Sequence, residues 1–184
     1  MSGSTPGLHS SLVRTTRATY LAVLLGALTW CGALLAAPLC TVDAAQVTGP
    51  SRVLYGFFHL ICHQIPERSF FVFGQQVAVC IRCSSVYFAF LLGTILYPLV
   101  RSVGQPVIPH RGLLLVAAIP LIVDGLSLGF LLYDVNAISR TLTGIVFGIV
   151  LPFYIIPAAQ QGVSELLRSP QPLSIHQQKG LSDA

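Results

Sequence analysis

Four long stretches of this chain carry almost no charge, and they decide what it can become. They run from Tyr20 to about Leu39, from about Gln76 to Val100, from Gly112 to Tyr133 and from Thr141 to about Ala159. A helix needs about 20 predominantly apolar residues to cross the hydrocarbon core of a bilayer. Inside lipid every backbone N–H and C=O must find its partner within the protein, which leaves helices as the natural form for such segments. The composition agrees: the 184 residues are 54% hydrophobic and 9% charged, where a soluble domain carries about 25% charged residues. The pattern predicts an all-α, polytopic membrane protein, with a four-helix transmembrane bundle over 20–159. The stretch 53–65 is apolar but too short to span, so it predicts an interfacial or re-entrant helix before the second span. The ends, 1–19 and 160–184, are polar and rich in Ser, Gly, Pro and Gln, and are expected to be disordered tails.

Lys and Arg set the orientation. With the N-terminus inside, the inner segments hold Arg14, Arg17, Arg101, Arg111, Arg168 and Lys179, and the outer ones Arg52, Arg68, Arg82 and Arg140. That distribution favours N-in and C-in in the cell membrane. The net charge of +4 comes without a basic run or a basic–aromatic stripe, so nucleic acid is not an expected partner; the lipid bilayer is. Arg14 and Arg17 before an apolar run, with Val42-Asp43-Ala44 after it, also fit a cleaved leader. The run exceeds the 7–15 residues of a usual signal core, which favours a retained helix.

Against this background, five Cys and His residues gather within one short region: His59, Cys62 and His63, then Cys80 and Cys83. Residues three and four apart share a helix face. A helix through Ile65, ended by Pro66, would present His59, Cys62 and His63 together, and the top of the second span would present Cys80 and Cys83. Two such chelating pairs supply the four ligands of a tetrahedral zinc site, with His59 and His63 competing as the nitrogen donor. The same donor set accommodates iron or copper. A different chemistry uses the same residues: a Cys80–Cys83 disulfide exchanging with Cys62, with Arg82 and Arg68 favouring thiolate. Haem attachment is disfavoured because Ser84 follows Cys83 where histidine is required. Cys31 and Cys40 stand alone in apolar surroundings and read as structural.

Asp124 lies inside the third stretch, nine residues before Tyr133 and so roughly 13 Å deep. A carboxylate there costs at least about 2.5 kcal/mol and needs a partner or a wet cavity. Arg68, Arg82 and Arg140 stand near the same end, and with Asp124 form the expected polar surround of the cluster. Asp124 in a hydrated path would instead suit a small transporter or channel. Gly125-x-x-x-Gly129 and Gly144-x-x-x-Gly148 have the spacing that lets membrane helices approach closely, read here as a tight pair between the third and fourth spans. Homodimerisation is the other use of such a face.

The run Cys62-His63-Gln64-Ile65-Pro66-Glu67-Arg68-Ser69-Phe70, then Gly74, then Cys80-Ile81-Arg82-Cys83, resembles the signature of a prokaryotic family of predicted membrane proteins, domain of unknown function 2085. The resemblance covers about 53–157 and implies the later pattern Asp124-Gly125, Arg140, Thr143-Gly144 and Gly148. Ser84-Ser85 departs from the Thr-Gly usual at that place, which leaves the ligand set intact. No activity comes with the family. The residues themselves lead to an outer-face Cys/His metal site, structural or catalytic. A membrane thiol–disulfide oxidoreductase is the alternative, and transport through Asp124 a third class.

Overall fold

The computed structural model describes residues 6–41, 49–103, 107–130 and 136–167. It is mostly helical, in the order α1 (Pro6–Leu39), α2 (Gly49–His59), a 3-10 turn (Pro66–Arg68), β1 (Ser69–Val72), β2 (Gln75–Cys80), α3 (Ile81–Val100), α4 (Arg111–Phe130), α5 (Ala137–Val150) and α6 (Pro152–Leu167). Among the described residues three helical stretches are long and apolar enough to cross a membrane: Arg14–Leu39, Ile81–Val100 and Ala137–Leu166. The third expected span coincides with α4, but its expected end at Tyr133 lies outside the described residues.

Several boundaries differ from expectation. Helix α1 begins at Pro6, so most of the expected N-terminal tail is helical instead. Proline suits that first position because its missing N–H would have no helical partner there. At the other end α6 reaches Leu167, beyond Ala159; residues 168–184 of the expected tail lie outside the described residues. The fourth stretch is two helices meeting at Leu151, where Pro152 removes a ladder N–H and opens α6.

The largest correction falls between Pro66 and Cys80. The fold is not purely α, and the second span does not begin at Gln76. Residues 69–80 form an antiparallel hairpin in which Ser69 pairs with Cys80 and Val72 with Gln75. Its two-residue turn, Phe73-Gly74, has φ of 51° and 77°. Positive φ at both positions is the type I′ pattern, whose twist matches that of paired strands. The short helix also ends early. Helix α2 stops at His59, and Pro66 opens a 3-10 turn rather than closing a helix.

Helix α3 is the spine. Helix α1 runs antiparallel to it: the Tyr20 hydroxyl donates to the Thr94 carbonyl at 3.2 Å, and Trp30 meets Tyr87 edge-on with ring centroids 5.6 Å apart. Helix α5 runs beside α3 in the same direction. A Cβ at Gly144 would stand 2.8 Å from the Ser85 Cβ and 2.9 Å from the Arg82 carbonyl, and Gly148 likewise abuts Val86 and Ala89. The close approach at Gly144 and Gly148 is therefore with α3, not with the third stretch as expected. Gly125 sits beside the Arg82 guanidinium, and the surroundings of Gly129 lie outside the described residues. At the opposite end, the buried Gln160 amide donates to the Thr16 carbonyl at 3.1 Å and the Val103 carbonyl at 3.0 Å. The ends of α1, α3 and α6 thus meet at one level, and the hairpin, α2 and the start of α3 meet at the other.

Candidate metal centre

At that second level a core of Leu34, Ala37, Phe58, Cys62, Val77, Ala78 and Val79 locks α1, α2 and β2 together, with Cys80 and Cys83 packed against it. The strand carries Cys80 as its last residue, and Cys83 follows in the first turn of α3. Cys62 arrives from the segment after α2, where its N–H still donates to the Phe58 carbonyl at 3.0 Å. The Cys80 N–H donates to the Cys62 sulfur at 3.2 Å. The three sulfurs of Cys62, Cys80 and Cys83 lie within 4.8 Å of one another. All are free thiols; Cys62 is buried and the other two half-buried.

Two glutamines fix this approach, and neither is among the site residues expected from the sequence. Gln64 sits at φ 52°, in the left-handed region. Its side-chain amide donates to the Tyr55 carbonyl and to the Ala78 carbonyl, each at 2.8 Å, tying α2 to the strand. The Gln76 amide donates back to the Gln64 carbonyl at 2.7 Å and to the Ser69 hydroxyl at 3.0 Å, and the Tyr55 hydroxyl donates to the Gln76 carbonyl. Such a network holds Cys62 against Cys80 by bonds to backbone carbonyls on both sides. The available signal was the Gln directly after Cys62-His63.

The histidines separate. His63 lines the same cavity as the three cysteines, a space of about 230 Å³ also bordered by Arg68, Arg82 and Arg140. His59 lines a different cavity, with Arg52, Tyr55, Gln75 and Gln76. The two do not share a helix face with Cys62, because the helix has already ended.

Electrostatics favour a thiolate at the strand end. A hydrogen bond from the Cys83 thiol, opposed by burial and reinforced by the amides of α3's first turn and by Cys62, lowers the Cys80 pKa to about 5. An amide-rich helix start beside a cysteine is the usual setting of a reactive or metal-binding sulfur. Below the cluster, Asp124 is fully buried. It accepts from the Arg82 guanidinium and, at 2.6 Å, from the Ser139 hydroxyl. The carboxylate thereby joins α4 to the first turn of α3 and to α5.

These features define a multi-pass helical membrane protein with a three-cysteine cluster at one end of its bundle. The chain matches, over residues 62–154, the profile of a family described as predicted membrane protein (DUF2085), and it belongs to that family. It is 41% identical over 107 residues to an uncharacterized protein of Methanocaldococcus jannaschii, covering 58% of this chain and 69% of the relative. An uncharacterized protein of Methanothermobacter thermautotrophicus is 34% identical over 97 residues, 51% of this chain and 83% of that one. No solved structure matches the chain. The matched residues run from Cys62 past Arg140 and so contain the cluster and its polar surround.

Proposed function

We propose that Cys62, Cys80 and Cys83 bind one soft divalent metal, zinc first, at the outer face of a cell-membrane protein whose four spans include α4. The observation that carries this reading is the mutual distance of the three sulfurs, within 4.8 Å. Zinc–thiolate bonds of about 2.3 Å place tetrahedral sulfurs about 3.8 Å apart, which lies inside that limit. His63 borders the cavity beside the cluster, outside the group of three sulfurs, and would complete a closed, structural site as its fourth ligand. If water takes that position, the site is open and the metal can polarise a bound molecule. Either way the metal staples the post-α2 segment to the strand–helix junction. Orientation rests on Arg14, Arg17, Arg101 and Arg111, which belong to the end away from the cluster and favour that end inside, N-in and C-in.

The test is elemental analysis of detergent-purified protein. About one metal per chain is expected, lost when Cys80 and Cys83 are both replaced by Ser. Full retention in the double variant would remove the proposal. The depressed pKa of Cys80 favours one second reading, thiol–disulfide exchange among the same three sulfurs. A metal-free protein with a reversible Cys80–Cys83 disulfide would establish it. Transport through Asp124 has less support, since that carboxylate is buried and engaged by Arg82 and Ser139.

A further inference from the structure

Three guanidiniums reach the cysteine cavity from three different elements: Arg68 from the 3-10 turn, Arg82 from the first turn of α3 and Arg140 from α5. Like charges gathered in one partly enclosed space repel one another. Asp124 takes up one arm of Arg82. The Arg82 Nε is buried without a hydrogen-bond partner, and Arg68 has no carboxylate within ion-pair distance among the described residues. A guanidinium with an unmet donor, on a side chain that lines the same cavity as Arg68 and Arg140, points to an anionic ligand there.

We infer that this cavity binds a phosphate group, held by Arg68 and Arg82 with Arg140 beside them, next to the cysteine cluster. The pocket adjoins the proposed metal site, but the guanidiniums recognise the phosphate independently of the metal. Donors converging from three directions suit a tetrahedral anion, whose acceptor oxygens point several ways, better than a carboxylate, whose acceptors lie in one plane. A volume of about 230 Å³ has room for one such group and a few waters. The group has two sources. One is inorganic phosphate or a small soluble phosphate. The other is the headgroup of an anionic lipid, for which the exposed Ile61 and Ile65 at the cavity wall and the exposed Phe70, Phe71 and Phe73 of the hairpin supply an apolar border.

The experiment uses full-length protein, wild type, Arg68→Gln and Arg68→Lys, with metal content measured in every sample. Inorganic phosphate is titrated calorimetrically into protein in a neutral detergent. Separately, protein from nanodiscs of phosphatidylglycerol or of phosphatidylcholine is examined by native mass spectrometry for retained lipid. Wild type binds phosphate, retains phosphatidylglycerol over phosphatidylcholine, or both; whichever probe binds identifies the source. Arg68→Gln weakens that binding by about tenfold or more, as loss of charge-assisted hydrogen bonds requires, and Arg68→Lys keeps most of it. Neither probe binding, or binding indifferent to Arg68→Gln, overturns the inference. Metal without Arg68-dependent binding removes the phosphate site and leaves the metal site standing. Arg68-dependent binding in metal-free protein does the reverse.

Discussion

Asp124 and Cys80 concentrate the physics of the site in single residues. Asp124 is fully buried, and its partner Arg82 has a side chain only 22% exposed. Replacing Asp124 by Asn leaves that guanidinium without its counter-charge, which costs about 3–5 kcal/mol for a buried pair. Thermal unfolding in detergent should show the loss, and in a double-mutant cycle Arg82 should couple to Asp124 while Arg68 does not. Cys80 should be thiolate across the neutral range in metal-free protein. Its depressed pKa means the proton leaves as pH rises through about 5, so one thiol should react with iodoacetamide with a midpoint far below the usual value of about 8.5. A single midpoint near that usual value would contradict the hydrogen-bonded arrangement. That a carboxylate in an apolar stretch needs a partner is legible from the sequence. Which arginine serves is not, because Arg68, Arg82 and Arg140 all stand near the same end, and only the α3–α4 packing selects Arg82.

Among the elements, the hairpin and the α3–α5 contact carry the most. The hairpin is not legible in the sequence because Val77–Cys80 and the helix after it are both apolar, and hydropathy cannot separate a strand running into a helix from one longer helix. The turn gave little warning, since Phe73 occupies a positive-φ position that Asn, Asp or Gly usually fill. The glycine spacing was legible as close packing, but spacing names no partner. With Gly144 set against the Ser85 Cβ and the Arg82 carbonyl, a Gly144→Val substitution must push α5 from α3. It should cost about 1–3 kcal/mol or more and loosen the Arg82 end of the site. Gly32→Ala is the control. Its added Cβ meets nothing within 4 Å, so thermal unfolding of that variant should stay close to wild type. Equal losses in both would mean that the packing of α5 on α3 does not limit stability.

At the scale of the molecule, the bundle has two unlike ends. One gathers Cys62, Cys80, Cys83, His63 and three arginines around a cavity. The other is tied by Gln160 to the carbonyls of Thr16 and Val103, near Arg14, Arg17 and Arg101. If the cluster faces outward, an impermeant maleimide should label these cysteines in intact cells once the metal is removed, and labelling confined to inverted vesicles would reverse the orientation. The mostly helical, membrane-crossing character of the chain and a grouping of cysteines could be read from the sequence. The meeting of the three sulfurs could not, because it depends on Gln64 and Gln76 bridging segments that hydropathy leaves undivided. The proposed metal site rests on three thiolates sharing one ion. X-ray absorption at the metal edge of purified protein tests it most directly. Three sulfur neighbours at about 2.3 Å and one nitrogen or oxygen neighbour at about 2.0–2.1 Å are expected, as for zinc. A coordination shell without sulfur, or a protein that holds no metal at all, would contradict it.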